Sequence, residues 1–281
     1  MTPAELKELK IAACKVRMGI IQSTYSAKCG HPGGSMSAAE LFTYLYFKEL
    51  NVDPSNPKWE GRDRFVLSKG HTAPGLYSAL ALRGFFPWED LKTLRHTGSY
   101  LQGHPNMRSV PGVDMSTGSL GQGISVAVGM ALAAKVKKEN YRVYTLLGDG
   151  EIQEGQVWEA CMSAAHYKLD NLCVIIDNNG LQIDGDIAKV MSPYPIDSKL
   201  EAFGFDVQVI NGNDFEEIEK ALNHAKTVAG KPSAIVMKTV KGKDVSFMEN
   251  NAGWHGKATN DAEYAQAMAE LNAILNELEG K

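Results

Sequence analysis

The chain has 281 residues, of which 44% are hydrophobic and 22% charged, and its formal net charge at pH 7 is −4. That length can bury a sizeable core, and a slightly acidic globular composition gives no reason to expect nucleic acid or an anionic membrane as a partner. No run approaches the roughly 18 uninterrupted apolar residues of a membrane span, and the polar N-terminus does not resemble an export signal.

The first part of the chain predicts helices separated by a Gly-rich break. Residues 4–28 have apolar side chains at helical spacing. The break at 30–35 precedes a second predicted helix near 37–50, in which Ser37 and Glu40 resemble a capping box. The next predicted elements are a strand at 64–67 and helices near 73–84 and 88–95.

A long loop at 97–120, rich in Gly, Pro, Ser and Thr, comes next. It is longer than a connection requires, so we expect it to cover or line a site. A helix with a small-residue face follows at 121–138. Beyond it the pattern predicts strand 142–147 with helix 153–168, strand 172–177 with helix 196–203, strand 206–210 with helix 214–229, a last strand at 233–238 and a closing helix near 261–278.

The predicted strands are apolar on both faces, as strands covered by helices on both sides must be. Strands separated by helices imply right-handed crossovers and a parallel sheet. Since no linker or repeat interrupts the chain, we predict one domain over 1–281, a single doubly wound, mostly parallel α/β sheet with helices on both faces. Ligands of such sheets bind beyond the carboxyl ends of the strands.

The four cysteines form no CxxC pair, and three of them fall in predicted helices or strands. We expect reduced thiols in a cytoplasmic protein, which argues against zinc and against a disulfide framework. These residues are Cys14, Cys29, Cys161 and Cys173.

Two successive predicted strands end in polar corners, Gly148-Asp149-Gly150 and Asp177-Asn178-Asn179-Gly180. If the strands are neighbours, Asp149 lies beside Asn178 or Asn179 at one sheet edge. Carboxylate, amide and carbonyl oxygens suit Mg²⁺ or Ca²⁺, and the flanking glycines let the backbone approach a diphosphate closely.

Two other interpretations of these corners are open. Asp, Asn and Gly also favour turns for local reasons. A Rossmann nucleotide site would use Gly148-x-Gly150, with Asp177 on a ribose. Against it, the third glycine comes too late, at Gly155, and Asp149 would repel a pyrophosphate unless a cation stood between them. We therefore favour the metal site.

Four of the seven histidines lie in Gly-rich loops, an arrangement typical of sites that handle anions and move protons. They are His31, His71, His104 and His255. The sequence has no HxH or HExxH motif, so zinc is not indicated. His166 and His224 fall within helical periodicity, and no role is assigned to them or to His96. Trp254 either packs at the mouth of the site or anchors its loop.

The GDG and NNG corners resemble the thiamine diphosphate motif of that enzyme superfamily. The resemblance implies that the metal ligands are Asp149, Asn179 and the Leu181 carbonyl. It also implies that Gly150 and Asn179 contact the diphosphate. Glu154 matches an acidic position that couples paired active sites in transketolases.

Together the loops resemble the N-terminal half of the transketolase family, in the same order, from about Gly30 to His255. The segments that resemble it most are GHPGGSM, RDRFVLSKGH, STGSLGQG, GDG with EG, and IDNNGLQIDG. The resemblance implies cofactor contacts by His71 and His255, and by Gly118, Ser119 and Leu120. Ser119 replaces a proline common in full-length members. The substrate-facing, catalytic histidines implied are His31, His104 and His255.

The family's pyrimidine-binding domain carries a glutamate and the basic residues that bind the sugar phosphate. No segment before Lys281 resembles this domain. Two explanations are open, a natural subunit and a truncated piece, and the ending of the chain, a predicted helix followed by Glu279-Gly280-Lys281, favours the natural subunit. We expect it to pair with a separate pyrimidine-domain chain, two copies of each. The expected activity is transfer of a two-carbon ketol unit from a ketose phosphate to an aldose phosphate.

Three alternatives stay open from the sequence. They are a deoxyxylulose-phosphate synthase, a 2-oxo acid dehydrogenase component and a non-catalytic cofactor-binding subunit. The sequence identifies neither the sugar nor the choice between Mg²⁺ and Ca²⁺.

Overall fold

The computed structural model describes all 281 residues. Its seven strands are β1 (Arg64–Leu67), β2 (Val143–Gly148), β3 (Leu172–Asn178), β4 (Leu181–Gln182), β5 (Gly185–Asp186), β6 (Asp206–Asn211) and β7 (Ser233–Lys238). Five of them form one parallel sheet in the order β1-β2-β3-β7-β6, and β4 and β5 form a separate antiparallel hairpin.

Ten α-helices surround the sheet. They are α1 (Pro3–Ala27), α2 (Pro32–Met36), α3 (Ala39–Tyr44), α4 (Ala73–Arg83), α5 (Gln122–Lys137), α6 (Gly155–His166), α7 (Ile187–Val190), α8 (Ile196–Ala202), α9 (Phe215–Thr227) and α10 (Asp261–Glu279). None of them is both long and apolar enough to cross a membrane.

Each face of the sheet is covered by its own hydrophobic core. Alternate strand residues divide between the two faces, so Leu146 and Ile175 belong to one core while Leu147 and Ile176 belong to the other. Helices α1, α3, α4, α9 and α10 contribute to the first core, and α5, α6 and α8 to the second. The predicted doubly wound parallel sheet is therefore confirmed.

The strands most important for the candidate site end at one level. Gly148 at the end of β2 is in register with Asp177 of β3, and Asn178 is in register with Lys238 of β7. The predicted adjacency of the Asp149 and Asn178–Asn179 corners follows from this register. The order along the chain did not predict that β7 would lie between β3 and β6.

The predicted capping box at Ser37 and Glu40 is wrong. The Ser37 hydroxyl donates to the Gly34 carbonyl at 3.0 Å and to the Asp177 carboxylate at 2.6 Å, while Glu40 is paired with Arg17. Tertiary partners thus take both side chains away from the helix end. The predicted helix near 37–50 is divided into α2, α3 and a π-helical turn at Leu45–Glu49.

Other predicted boundaries also change. The segment near 88–95 is a 3-10 helix at Trp88–Thr93, and α6 is preceded by a 3-10 turn at Glu151–Gln153. The β4–β5 hairpin and α7 were not predicted at all. These elements have only two to four residues each, which is too short for a periodic pattern to appear.

A buried ion pair links α1 to α3 and to the segment after β7. One Arg17 nitrogen, Nη2, lies 2.6 Å and 2.8 Å from the two Glu40 oxygens, and Nη1 lies 3.2 Å from Asp244. The Asn213 amide also donates to Glu40 at 3.0 Å. Arg17 is 1% exposed and Glu40 is 4% exposed, so neither of these two charges can be well solvated if its partner is removed.

Arg17→Ala should lower the free energy of unfolding by about 3–5 kcal/mol, because it leaves Glu40 buried without its cation. Urea unfolding followed by circular dichroism measures the change. Arg108→Ala, in an exposed loop, is the control and should be close to neutral. A loss below about 1 kcal/mol for Arg17→Ala would contradict this account of the ion pair.

Candidate active site

A cleft of about 400 Å³ lies at the carboxyl ends of the parallel strands. Most of the site residues predicted from sequence line this one cleft. Those that do are His31, His71, Gly118, Leu120, Asp149, Gly150, Glu154, Asn179, Leu181 and His255. Segments from both ends of the chain thus converge on a single site.

The Asp149 carboxylate is 2% exposed and is held by three donors. Its Oδ2 accepts from the Asn178 amide at 2.9 Å and from the Gly180 N–H at 2.7 Å, and its Oδ1 accepts from the Gly150 N–H at 2.9 Å. Burial raises its pKa although these donors favour the ionised form. The Asn178 amide oxygen accepts a hydrogen bond from Lys238, so the amide nitrogen is directed at Asp149 and holds its carboxylate in place.

Asn179 and Leu181 contribute two further oxygens to the cleft that Asp149 lines. The Asn179 amide donates to Asp177 at 3.1 Å, and its oxygen accepts from the Leu181 N–H at 3.1 Å. The Leu181 carbonyl faces the cleft, where Lys241 donates to it at 3.2 Å. A carboxylate, an amide oxygen and a backbone carbonyl form a donor set that fits a hard divalent cation such as Mg²⁺ or Ca²⁺.

Three of the predicted histidines form a compact cluster. The ring centroids of His31, His71 and His255 lie 5.2 to 5.5 Å from one another. Burial lowers the pKa of His31 to about 4 and that of His255 to about 3, with help from the charges of Arg95 and Lys241 respectively. The pKa of His71 is also well below its usual range, mainly through burial. All three imidazoles are therefore neutral at physiological pH.

Neutral imidazoles offer one donor and one acceptor each. The Lys241 ammonium lies 3.2 Å from His255 Nδ1. Because an ammonium can only donate, Nδ1 is the acceptor, and the ring proton is on Nε2. His255 can thus donate a hydrogen bond from Nε2.

His104 and Ser119 lie outside the lining of the cleft. The His104 ring packs against Gly118, since a Cβ added to Gly118 would lie 3.1 Å from it. A charge on His104 would oppose protonation of His31 and so helps to lower the pKa of His31. Ser119 faces a separate shallow depression beside Gly118.

The remaining predicted residues are also placed by the structure. Glu154 is exposed at the rim of the cleft. Trp254 is 5% exposed and packs against Phe247 with ring centroids 5.2 Å apart, so it anchors its loop. His96, His166 and His224 lie outside the cleft.

Two buried lysines in the cleft were missed by the sequence reasoning. Lys69 is 2% exposed and donates to the Gly34 carbonyl at 2.9 Å and to Asp177. Lys241 is 2% exposed, and burial together with the charge of Lys69 lowers its pKa to about 8. The available signal for Lys69 was its place in LSKGH, directly after a buried strand and before His71.

Two buried carboxylates were missed as well. Glu151 accepts from the Ser68 hydroxyl at 2.5 Å and from the N–H groups of Gly121 and Gly148 at 2.9 Å and 3.1 Å. It ties the N-terminus of α5 to the ends of β1 and β2. Burial would raise the pKa of Asp177, but the charge of Lys69 and the donors around the carboxylate hold it below its usual range.

The fold and cleft define an α/β cofactor-binding domain whose oxygen ligands, lysines and backbone loops suit a metal-bound diphosphate. Residues 9–273 match the family model described as transketolase, thiamine diphosphate binding domain. The chain belongs to the transketolase family, as the sequence motifs predicted.

Relatives of similar length are named as transketolase subunits. The chain is 48% identical to the 6-deoxy-6-sulfo-D-fructose transketolase subunit of Clostridium sp. (strain MSTE9), over 86% of this chain and 88% of the relative. It is 42% identical to an apulose-4-phosphate transketolase subunit of Phocaeicola vulgatus, over 98% of both chains.

The solved transketolase of Campylobacter jejuni superposes with a TM-score of 0.86 at 34% identity. That match covers 99% of this chain and 47% of the solved one. The chain therefore spans about half the length of this relative, and its fold is that of the corresponding half.

The half-buried His31 should make stability depend on pH. Its pKa lies below the ordinary value of 6.5 in the folded state, so the unfolded chain takes up the proton first as the pH falls. The contribution of His31 to the free energy of unfolding is fully present above about pH 6.5 and is lost progressively down to about pH 4. We expect the free energy of unfolding to fall more steeply over this window in the wild type than in His31→Asn, measured by urea unfolding at several pH values. If the free energy of unfolding had the same pH dependence in the two proteins, the lowered pKa of His31 would be contradicted.

Proposed function

We propose that the chain is the diphosphate-binding subunit of a two-chain transketolase. The pair would transfer a two-carbon ketol unit from a ketose phosphate to an aldose phosphate with thiamine diphosphate held through Mg²⁺ or Ca²⁺. The observation that supports this most strongly is the convergence of the oxygen-donor corner, two buried lysines and three neutral imidazoles in one cleft. Named transketolase subunits of nearly the same length support the two-chain arrangement.

The cation would be held by Asp149, Asn179 and the Leu181 carbonyl, three residues that line the same cleft. The diphosphate would lie against the Gly150 backbone and His71, with its charge offset by Lys241 and, more remotely, by Lys69. Gly118 and Leu120 would line the next part of the cofactor. When bound, thiamine diphosphate supplies the electron sink for cleavage next to a carbonyl.

The imidazoles would act on the sugar. His31 and His255 line the cleft and are neutral, so each can donate to or accept from a substrate hydroxyl and hold a proton in transit. The Nε2–H of His255, set by Lys241 at Nδ1, is the donor available to a substrate oxygen. His104 would contact the sugar from its position behind Gly118.

The partner chain would supply the glutamate that activates the cofactor's aminopyrimidine, the pocket for that ring and the basic residues for the sugar phosphate. Leu120 and Ile183 are apolar, 37% and 65% exposed, and line the cleft, which suits contact with a second chain or with the cofactor ring. We propose two copies of each chain, in the cytoplasm, with Glu154 at the rim coupling the paired sites.

The sugar is the least constrained part of the proposal. The names of the relatives refer to a sulfonated ketose and to apulose 4-phosphate. Modified sugars are therefore candidates for this chain beside the sugar phosphates of the pentose phosphate pathway. All of these sugars have an anionic group at the end away from the carbon–carbon bond that would be cleaved. The proposed partner chain would bind that group.

Asp149→Ala should abolish metal-dependent binding of thiamine diphosphate, because the diphosphate would lose its bridging cation. Isothermal calorimetry with Mg²⁺ present measures the affinity. Glu277→Ala, on the exposed side of α10, is the control and should bind like the wild type. Unchanged affinity in Asp149→Ala would overturn the ligand assignment.

The purified chain alone should show negligible ketol transfer, since it lacks the groups that activate the cofactor's aminopyrimidine. Mixing it with a pyrimidine-domain chain, thiamine diphosphate and Mg²⁺ should restore turnover of xylulose 5-phosphate or of a sulfonated ketose. Robust turnover by the chain alone would contradict the two-chain proposal. Restored turnover with pyruvate alone as donor would assign the pair to a different thiamine enzyme.

A further inference from the structure

A single buried carboxylate connects four segments of the candidate site. Asp177, at the end of β3, is fully buried and accepts hydrogen bonds from four side chains. The Ser37 hydroxyl donates at 2.6 Å and the Asn179 amide at 3.1 Å, and Lys69 and the Thr239 hydroxyl also donate to it. Asp177 was not assigned to the metal or to the diphosphate.

The four donors belong to the segments that hold the cleft residues. Lys69 lies two residues before His71 and also donates to the Gly34 carbonyl of α2, the helix that begins directly after His31. Thr239 lies two residues before Lys241 on the segment that leaves β7. Every one of these segments is thus hydrogen bonded, directly or through Lys69, to one carboxylate.

The contact with Asn179 decides which end of that amide faces the cleft. An ionised carboxylate only accepts hydrogen bonds, so it selects the amide nitrogen of Asn179. The amide oxygen is then on the opposite side, where it accepts from the Leu181 N–H at 3.1 Å and keeps a second lone pair. Without Asp177, only the Leu181 N–H would hold the amide in this orientation, so the amide could turn more readily and present its nitrogen, which cannot bind a cation.

We propose that Asp177 is a positioning residue that holds the Asn179 amide with its oxygen toward a diphosphate-bound divalent cation and at the same time fixes the Lys69 ammonium beneath the cleft. The inference rests on the proposed function, because it needs Asn179 to be a metal ligand. Outer-shell partners of this kind typically contribute 10–100-fold to metal affinity.

The test compares Asp177→Asn with Asp114→Asn in the full chain. Asp114 is also a buried carboxylate with a cationic partner: it accepts from Arg62 at 3.0 Å and from the Phe65 N–H at 2.8 Å, at the start of β1 and away from the cleft. Mn²⁺ is the probe, since carboxylate and carbonyl oxygens suit it as they suit Mg²⁺. Electron paramagnetic resonance measures free Mn²⁺ in the presence of thiamine diphosphate.

We expect Asp177→Asn to weaken Mn²⁺ binding by about 10–100-fold and Asp114→Asn to leave it unchanged. Equal binding by the wild type and Asp177→Asn would overturn the inference while leaving the proposed function intact. Absence of cofactor-dependent Mn²⁺ binding in the wild type would overturn the proposed function, and the inference with it.

A thermodynamic cycle with Asn179→Ala separates positioning from a general structural effect. If Asp177 acts through Asn179, adding Asp177→Asn to Asn179→Ala should cost little further affinity. Losses that multiply independently would show that Asp177 acts by another route and would overturn the inference.

Should Asp177→Asn fail to fold by circular dichroism, Ser37→Ala and Thr239→Val keep the carboxylate and each remove one donor. Both should weaken Mn²⁺ binding in the same direction and by less, because the carboxylate then has fewer bonds to hold it in place. Wild-type affinity in both variants would count against the proposal.

Discussion

The candidate site depends on the cost of burying charge at the carboxyl edge of the parallel sheet. Asp149 and Asp177 end neighbouring strands and are almost completely removed from water. Buried carboxylates persist only when they are paired or hydrogen bonded. The donors that satisfy Asp177 come from the ends of β1, β3 and β7 and from α2, so its requirements bring four loops to one place.

The sequence predicted the parts of this arrangement that are local along the chain. GDG and NNG directly follow apolar strands, and parallel pairing of consecutive strands is a general tendency, so the Asp149–Asn179 corner could be foreseen. The histidine loops were found because their residues are unusual in composition and resemble a known family. The first inference assumed only that β2 and β3 are neighbours, and the second required no knowledge of the strand order.

The parts that the sequence did not predict depend on contacts between distant segments. Lys241 reaches the cleft only because β7 lies next to β3, ahead of β6 in the sheet order. Ser37 and Glu40 have the spacing of a capping box, yet a buried carboxylate and a buried guanidinium are stronger partners for them than a helix end. Local propensity is a weak guide where charged groups are buried, since an unpaired charge there costs more than a cap provides.

In the proposed function, a diphosphate and its cation would complete the charge balance of the cleft. Lys69 is neutralised by Asp177, which leaves Lys241 and Asp149 facing the opening. A divalent cation at Asp149, as in the proposed function, would make this part of the site positive. The three imidazoles are kept neutral mainly by burial, and the charge of Lys241 adds to that effect on the pKa of each. In that proposal the anionic cofactor head would be attracted, while the histidines could exchange protons with a sugar. The two lysines would then serve both halves of the chemistry, since they would favour the diphosphate directly and they add to the effect of burial on the pKa of His71 and His255.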